Sequence, residues 1–290
     1  MESMAITTQV GCKNACSYCP QDKVASLYPK DAVRRMSFDI FKECIAKIPD
    51  RVYIHFSGMS EPWLNPECTR MLLHAHHKGH RIRVFTTLAG MRMEDISQFG
   101  SVPFRSFRVH LPSVESRMNI KIDGNYIDLV KGLASSRMDN LIFNAHGEVL
   151  ASIRTILEKE KRPIVMLPLS TRAGNVQLEK VPVPIRKGRV MGCARGLEQN
   201  VLLPNGNVLL CCMDWGMRHV LGNLLTGDYA GLFTGEEFLK VKKGMQCPSA
   251  DILCKYCDAF TYEAVLTDKL WTIISKNFQR LPLLYRMWKR

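Results

Sequence analysis

At 290 residues and 46% hydrophobic content, the chain is long enough for one large domain and a smaller one, and it carries a formal net charge of +13. No apolar run approaches the ~20 residues of a membrane span, and the first residues lack the basic and apolar stretches of a signal peptide, so a cytoplasmic protein is expected. The charge calls for anionic partners, with nucleic acid disfavoured because the basic residues are scattered and no recognition module or row of stacking aromatics accompanies them.

In chain order, a β-rich run from Met4 to Val10 leads directly into Gly11-Cys12-Lys13-Asn14-Ala15-Cys16-Ser17-Tyr18-Cys19. Three thiols within eight residues form a metal clamp. Closed zinc sites want four ligands and no histidine or fourth cysteine lies nearby, which implies an iron-sulfur cluster with one iron left open. Further β-rich runs follow at Val52–Ser57, Arg81–Leu88, Ser106–Leu111, Leu141–Ala145 and Ile164–Leu169, separated by stretches of helical period such as Phe38, Phe41, Ile45 and Ile48. Strands alternating with helices predict a parallel βα architecture, whose catalytic groups gather where the strands end. The proline-rich segment 181–188 breaks this rhythm and is expected to mark a domain boundary. A second cysteine group follows it, and after Tyr262 the chain turns helical and basic. Eleven cysteines at close spacings, with no signal peptide, read as ligands and thiols rather than disulfides.

The C-x-x-x-C-x-x-C spacing, with the aromatic Tyr18 before its last cysteine, resembles the radical S-adenosylmethionine (SAM) enzymes. The resemblance implies a partial (β/α)6 barrel, a 4Fe-4S cluster on Cys12, Cys16 and Cys19, and SAM chelated at the open iron. Reductive cleavage of SAM would then give a 5′-deoxyadenosyl radical, with the cofactor carrying the chemistry and the protein the positioning. Phe56-Ser57-Gly58-Met59-Ser60-Glu61-Pro62 resembles the family's Gly-Gly-Glu-Pro segment, which implies that Gly58, Ser60 and Glu61 meet the SAM amino group. Thr86 and Thr87, and His110 and Pro112, stand where the family reads ribose and carboxylate. Arg172, in Arg172-Ala173-Gly174-Asn175, is implied to hold a SAM carboxylate or a substrate group, and Asn144 and His146 are expected to face the same cavity.

Cys193, the Gly206-to-Cys211 interval, Cys254 and Cys257 resemble the SPASM and shorter twitch extensions of that superfamily, which implies an auxiliary 4Fe-4S cluster with four cysteine ligands. Pro204-Asn205-Gly206 between apolar runs predicts a β-hairpin that brings Cys193 and Cys211 onto neighbouring strands. The organisation expected is a barrel over 1–185, a cysteine-rich twitch (SPASM-like) hairpin-and-helix domain over 186–262, and a basic helical tail over 263–290. Cys44 and Cys68 fall in barrel helices as core residues. Cys247 and, second to it, Cys212 remain as candidate hydrogen-atom donors.

The extension is similar to those of 2-deoxy-scyllo-inosamine dehydrogenases and neomycin epimerases, and a carbohydrate or aminocyclitol substrate is expected, with epimerisation or alcohol oxidation as the outcome. The charge suits a nucleotide-linked or lipid-linked sugar and an acidic flavodoxin- or ferredoxin-type reductant, and the tail could touch the inner membrane surface. The alternatives are a peptide- or protein-modifying maturase and a non-enzymatic iron-sulfur or zinc module.

Overall fold

The structure, a computed structural model, describes residues 2–178, 189–193, 197–257 and 260–262. The expected domain boundary within 181–188 and the tail 263–290 lie outside the described residues. The six expected barrel strands are present as β1 (Ser3–Ile6), β2 (Tyr53–Phe56), β3 (Ile82–Thr86), β4 (Ser106–His110), β5 (Leu141–Ala145) and β6 (Ile164–Met166). Their helices are α1 (Gln21–Leu27) and α2 (Phe38–Ala46), both between β1 and β2, then α3 (Cys68–His77), α4 (Met93–Phe99), α5 (Gly124–Ser135) and α6 (Ala151–Lys159). The units are therefore not uniform: the first carries two helices and, among the described residues, none follows β6.

Strands β1 to β6 pair in parallel, and their outward side chains, including Ile54, Val84, Phe107, Val109 and Phe143, are buried beneath the helices. Each helix contributes one apolar face to this layer, as the 3.6-residue period requires: Phe41, Cys44 and Ile45 from α2, and Cys68, Met71, Leu72 and Ala75 from α3. Cys44 and Cys68 are fully buried core residues. Side chains on the inner face alternate with these and point at the barrel axis.

Beyond the barrel lie β7 (Val190–Cys193), β8 (Gln199–Leu202), β9 (Asn207–Leu209), β10 (Val220–Asn223), α7 (Gly231–Thr234), α8 (Glu236–Gln246) and β11 (Phe260–Tyr262). The predicted hairpin exists as β8 and β9, its turn closed by Gly206 at φ +83°. It does not stand apart, however. β8 pairs in parallel with β1, from Ser3 opposite Gln199 to Ile6 opposite Leu202, so barrel and hairpin form one nine-stranded sheet in the order β10-β9-β8-β1-β2-β3-β4-β5-β6. The open backbone edge of β1 would otherwise be unpaired. This also corrects the expected placement of Cys193: it lies on β7, which pairs with β11 in a separate two-stranded sheet, and not on a strand beside Cys211.

Gly58 shows how tightly the strand ends meet. It adopts φ +51°, and a Cβ there would overlap the Thr7 side chain and sit 2.6 Å from the Ile6 carbonyl oxygen. Gly58→Ala is expected to cost about 3 kcal/mol through strain and overpacking, roughly 6–12 °C in Tm for a chain of this size. Calorimetry of the purified variant measures it, and an unchanged Tm would mean that the β1 and β2 ends separate freely.

Candidate active site

The cysteine loop is held by residues far away in sequence. Asn14 Nδ2 donates to Thr87 Oγ1 (2.8 Å), Asn119 N to the Asn14 carbonyl (2.6 Å) and Ser17 N to the Arg117 carbonyl (2.9 Å), tying the loop to the ends of β3 and β4. Gln21 Nε2 donates to the Met59 carbonyl (2.6 Å), fixing the loop's exit against the segment after β2. Gly11 (φ +96°) and Ala15 (φ +41°) make the reversals that three closely spaced cysteines need to face one side.

Cys12, Cys16 and Cys19 line a cavity of about 780 Å3 that runs along the inner face of the barrel. Burial, with the charges of Cys12 and Glu61 adding to it, pushes the Cys16 thiol up to about 11. Burial and then Cys16 push Cys19 up to about 12, and burial also raises Cys12. The three thiols thus share one desolvated site and remain protonated until something positive displaces their protons.

Glu61 sits beside them, 4% exposed. Its carboxylate accepts from Thr86 Oγ1 (2.6 Å), Thr87 N (2.7 Å), Thr87 Oγ1 (2.8 Å) and Trp63 N (3.4 Å), all neutral donors. Burial outweighs them and pushes it up to about 7. A buried carboxylate with no cationic partner among the described residues suits an ammonium group, so donor set and neighbours together fit an open-iron cluster with SAM.

Tyr18, His110 and His146 form an aromatic group on the same wall, with ring centroids 5.8 Å apart for Tyr18–His110, 4.5 Å for Tyr18–His146 and 4.6 Å for His110–His146. Burial, then the His146 and Arg172 charges, hold His110 down at about 3, so its imidazole is neutral at pH 7. His146 is lowered by burial too, and its Nδ1 lies 2.9 Å from the Leu167 carbonyl oxygen. Among the described residues His110 Nε2 and both side-chain polar atoms of Asn144 are buried without partners, and Asn144 follows the cavity-lining Ile142 by two on β5, hence on its face. Three orphaned polar atoms on one cavity wall mark where a polar ligand is wanted.

Arg172 also lines the cavity, in a loop where Arg172, Ala173 and Gly174 all have positive φ. Asn175 holds the strained turn: its Nδ2 donates to the carbonyls of Arg172 (2.7 Å) and Met213 (3.0 Å), and its Oδ1 accepts from Lys23 Nζ (2.7 Å). One amide thereby joins α1, the end of the barrel and the turn after β9. Sequence reading quoted Asn175 within its motif without giving it this role.

The turn 211–216, which begins after β9 ends at Leu209, separates its two cysteines. Cys211 is buried in the main core, and Cys212 lines the cavity beside Trp215. Cys254 and Cys257 are 1% and 2% exposed on a 3-10 turn over Leu253–Tyr256 and its C-terminal cap, with Cys193 half-buried against the same core. Burial, then Cys193 and Cys257, push Cys254 up to about 12, while Cys211 is raised by burial with Cys212 and Cys254 contributing, which links all four thiols. Among the described residues no three His, Cys, Asp or Glu side chains stand close enough together to hold one metal ion. Two further residues organise the site: Asp214 accepts from Arg218 N and His219 N (2.8 Å each), and His219 Nε2 accepts from Leu253 N (3.2 Å). Cys247 lies elsewhere: it caps α8, is exposed, and places Sγ 3.3 Å from Ser249 Oγ.

The fold has counterparts among solved structures. Residues 193–258 match the SPASM model, described as an iron-sulfur cluster-binding domain. BtrN solved with AdoMet and 2-DOIA superposes with a TM-score of 0.63 at 16% identity, covering 89% of this chain and 93% of BtrN. Streptococcus suis SuiB bound to its precursor peptide SuiA gives 0.58 at 12% (88% and 70%), and anSMEcpe with bound AdoMet 0.56 at 11% (89% and 88%). A search of curated proteins gave no match. The fold is therefore that of the radical SAM enzymes with a SPASM or twitch extension. Among the described residues no helix is long and apolar enough to cross a membrane.

Proposed function

We propose that the protein is a radical SAM enzyme that abstracts hydrogen from a carbon of a sugar or aminocyclitol, with epimerisation favoured and alcohol oxidation second. The observation that carries the reading is the cavity, bounded by the thiols of Cys12, Cys16 and Cys19 at one side and by Glu61, Arg172, polar strand residues and Cys212 around it. When bound, a 4Fe-4S cluster and SAM supply a 5′-deoxyadenosyl radical. Cys12, Cys16 and Cys19 hold three irons, Glu61 takes the methionyl ammonium, and Arg172 offers its planar fork to a carboxylate or a substrate oxygen. Cys193, Cys211, Cys254 and Cys257 hold a second 4Fe-4S cluster.

Cys212 is the hydrogen donor we favour over Cys247, because its thiol faces the cavity. Its S–H bond breaks as a new C–H bond forms on the opposite face of the substrate carbon. One electron from a flavodoxin- or ferredoxin-type reductant and one proton from solvent then restore the thiol. BtrN, solved with 2-DOIA, supports a small polyol substrate, whereas SuiB with SuiA keeps a peptide substrate as the second reading.

The test is anaerobic reconstitution with reduction, following 5′-deoxyadenosine by mass spectrometry against a panel of nucleotide sugars, aminocyclitols and cysteine-containing peptides. Stimulation by sugars or aminocyclitols supports the proposal. Stimulation by peptides alone would move the protein to the maturases, and zinc-filled sites with no SAM cleavage would make it a binding module. In the same preparation Glu61→Gln is expected to weaken SAM binding roughly 10- to 100-fold, the worth of one charged hydrogen bond, as measured by equilibrium dialysis.

A further inference from the structure

The cavity reaches well below the thiols, and its far end is basic. Across the inner face His55 on β2 opposes Arg83 on β3, which opposes Ser106 on β4; one layer higher, Phe85 opposes Arg108, and Arg108 opposes Ile142. Arg83, Arg108 and Arg105, which immediately precedes β4, all line the same cavity as Cys12, Cys16 and Cys19. At ~3.3 Å per residue, Arg83 lies about 10 Å down the barrel from Thr86, and Arg105 about 16 Å from His110. Interiors of parallel barrels are ordinarily filled with branched apolar side chains, so arginines here need a reason. The opposite half of the inner face follows the ordinary rule, with Ala5, Val201, Leu209 and Trp215 buried together.

The arginines also crowd one another. Burial is the main influence lowering Arg83, and the nearby Arg105 and Arg108 charges act in the same direction. The Arg83 guanidinium lies 4.7 Å from the Tyr53 ring centroid, and the Tyr53 hydroxyl accepts from Arg81 Nη1 (2.8 Å), bringing a fourth arginine to the same end. Arg108 Nε donates to Ser106 Oγ (3.3 Å), a neutral partner. Like charges gathered in one concavity, with Arg83 and Arg108 half-buried and Arg105 exposed at its far end, focus a positive potential that favours an anion among them, and guanidinium forks match phosphate oxygens in pairs.

We propose that Arg83, Arg105 and Arg108 form an anion subsite for a phosphate or diphosphate ester, so that the substrate is an esterified sugar lying along the barrel with its ring between this floor and the thiol loop. The inference rests on the sugar reading above and narrows it. Phe85 and Ile142 flank Arg108 in its own layer, one layer above Arg83, and the carbon to be attacked lies toward the strand ends, about 10 Å along β3 from Arg83.

The test uses the reconstituted full chain with SAM bound. Calorimetric titration with inorganic pyrophosphate, UDP, farnesyl diphosphate and glucose is expected to show pyrophosphate binding that weakens as salt rises, and no binding of glucose. Tighter binding of UDP would point to a nucleotide-linked sugar and tighter binding of farnesyl diphosphate to a lipid-linked one; either supports the subsite. Arg105→Gln/Arg108→Gln should lose pyrophosphate affinity at least about tenfold, and Arg105→Lys/Arg108→Lys less than that. Phenylglyoxal footprinting of the wild-type holoprotein needs no variant, and pyrophosphate should protect the peptides carrying Arg105 and Arg108. Absence of wild-type pyrophosphate binding, unaltered binding in the double glutamine variant, or unprotected arginines would each overturn the proposal. Failure of wild type to cleave SAM would instead sink the enzyme reading, whatever the titrations show.

Discussion

Replacing Cys12, Cys16 and Cys19 together with alanine should lower the iron content of reconstituted protein from about eight to about four per chain and abolish 5′-deoxyadenosine formation. The three thiols face one desolvated cavity from a loop fixed by Asn14, Ser17 and Gln21. The four cysteines of the SPASM domain lie on other elements: β7, the turn after β9, and the 3-10 turn at Leu253–Tyr256 with its cap. Loss at one site should therefore leave the other filled. The remaining iron is expected to give the Mössbauer signature of a single fully coordinated cluster. The converse variant, Cys254→Ala/Cys257→Ala, should lose the other four irons, and Tm with them, because both residues are core members as well as proposed ligands. Full iron retention in the triple variant would overturn the assignment of Cys12, Cys16 and Cys19. Loss of all the iron would show that the second site cannot assemble without the first.

Much of this was legible in residue order because the relevant chemistry is local. Three thiols within eight residues need no tertiary information to be read as ligands, and the strand ends at Phe56, Thr86 and His110 lie one or two residues before the ends of the corresponding β-rich runs. What escaped was non-local. The pairing of β8 with β1 depends on which sheet edge is vacant, and this removed Cys193 from the strand beside Cys211. Asn175 and Asp214 work through backbone groups tens of residues from their motifs or through a turn whose shape is not written in spacing. The arginines on β3 and β4 alternate with buried apolar residues in the pattern of an ordinary half-exposed strand, and only closure of the sheet turns that polar face into a cavity wall.

Cys212 and Cys247 carry the sharpest functional consequence of the same limitation. In sequence both are candidate donors, with Cys247 ahead of Cys212; in the fold, Cys212 lines the cavity and Cys247 is exposed at the end of α8. With a substrate that stimulates SAM cleavage, Cys212→Ala should retain 5′-deoxyadenosine formation to within a few-fold. Epimerised product should fall by about a hundredfold or more, the loss expected when one chemical step has no reactant group. In deuterium oxide, the wild type should place one solvent deuterium on the inverted carbon, because a thiol hydrogen exchanges with water before it is transferred, and Cys247→Ala should do the same. If Cys247→Ala abolishes product while Cys212→Ala does not, the exposed turn at 247–250 must close over the cavity during turnover. If neither matters and an oxidised product accumulates without deuterium, the substrate radical gives up an electron and a proton in place of gaining a hydrogen, and a cluster held by Cys193, Cys211, Cys254 and Cys257 would be the route by which that electron leaves.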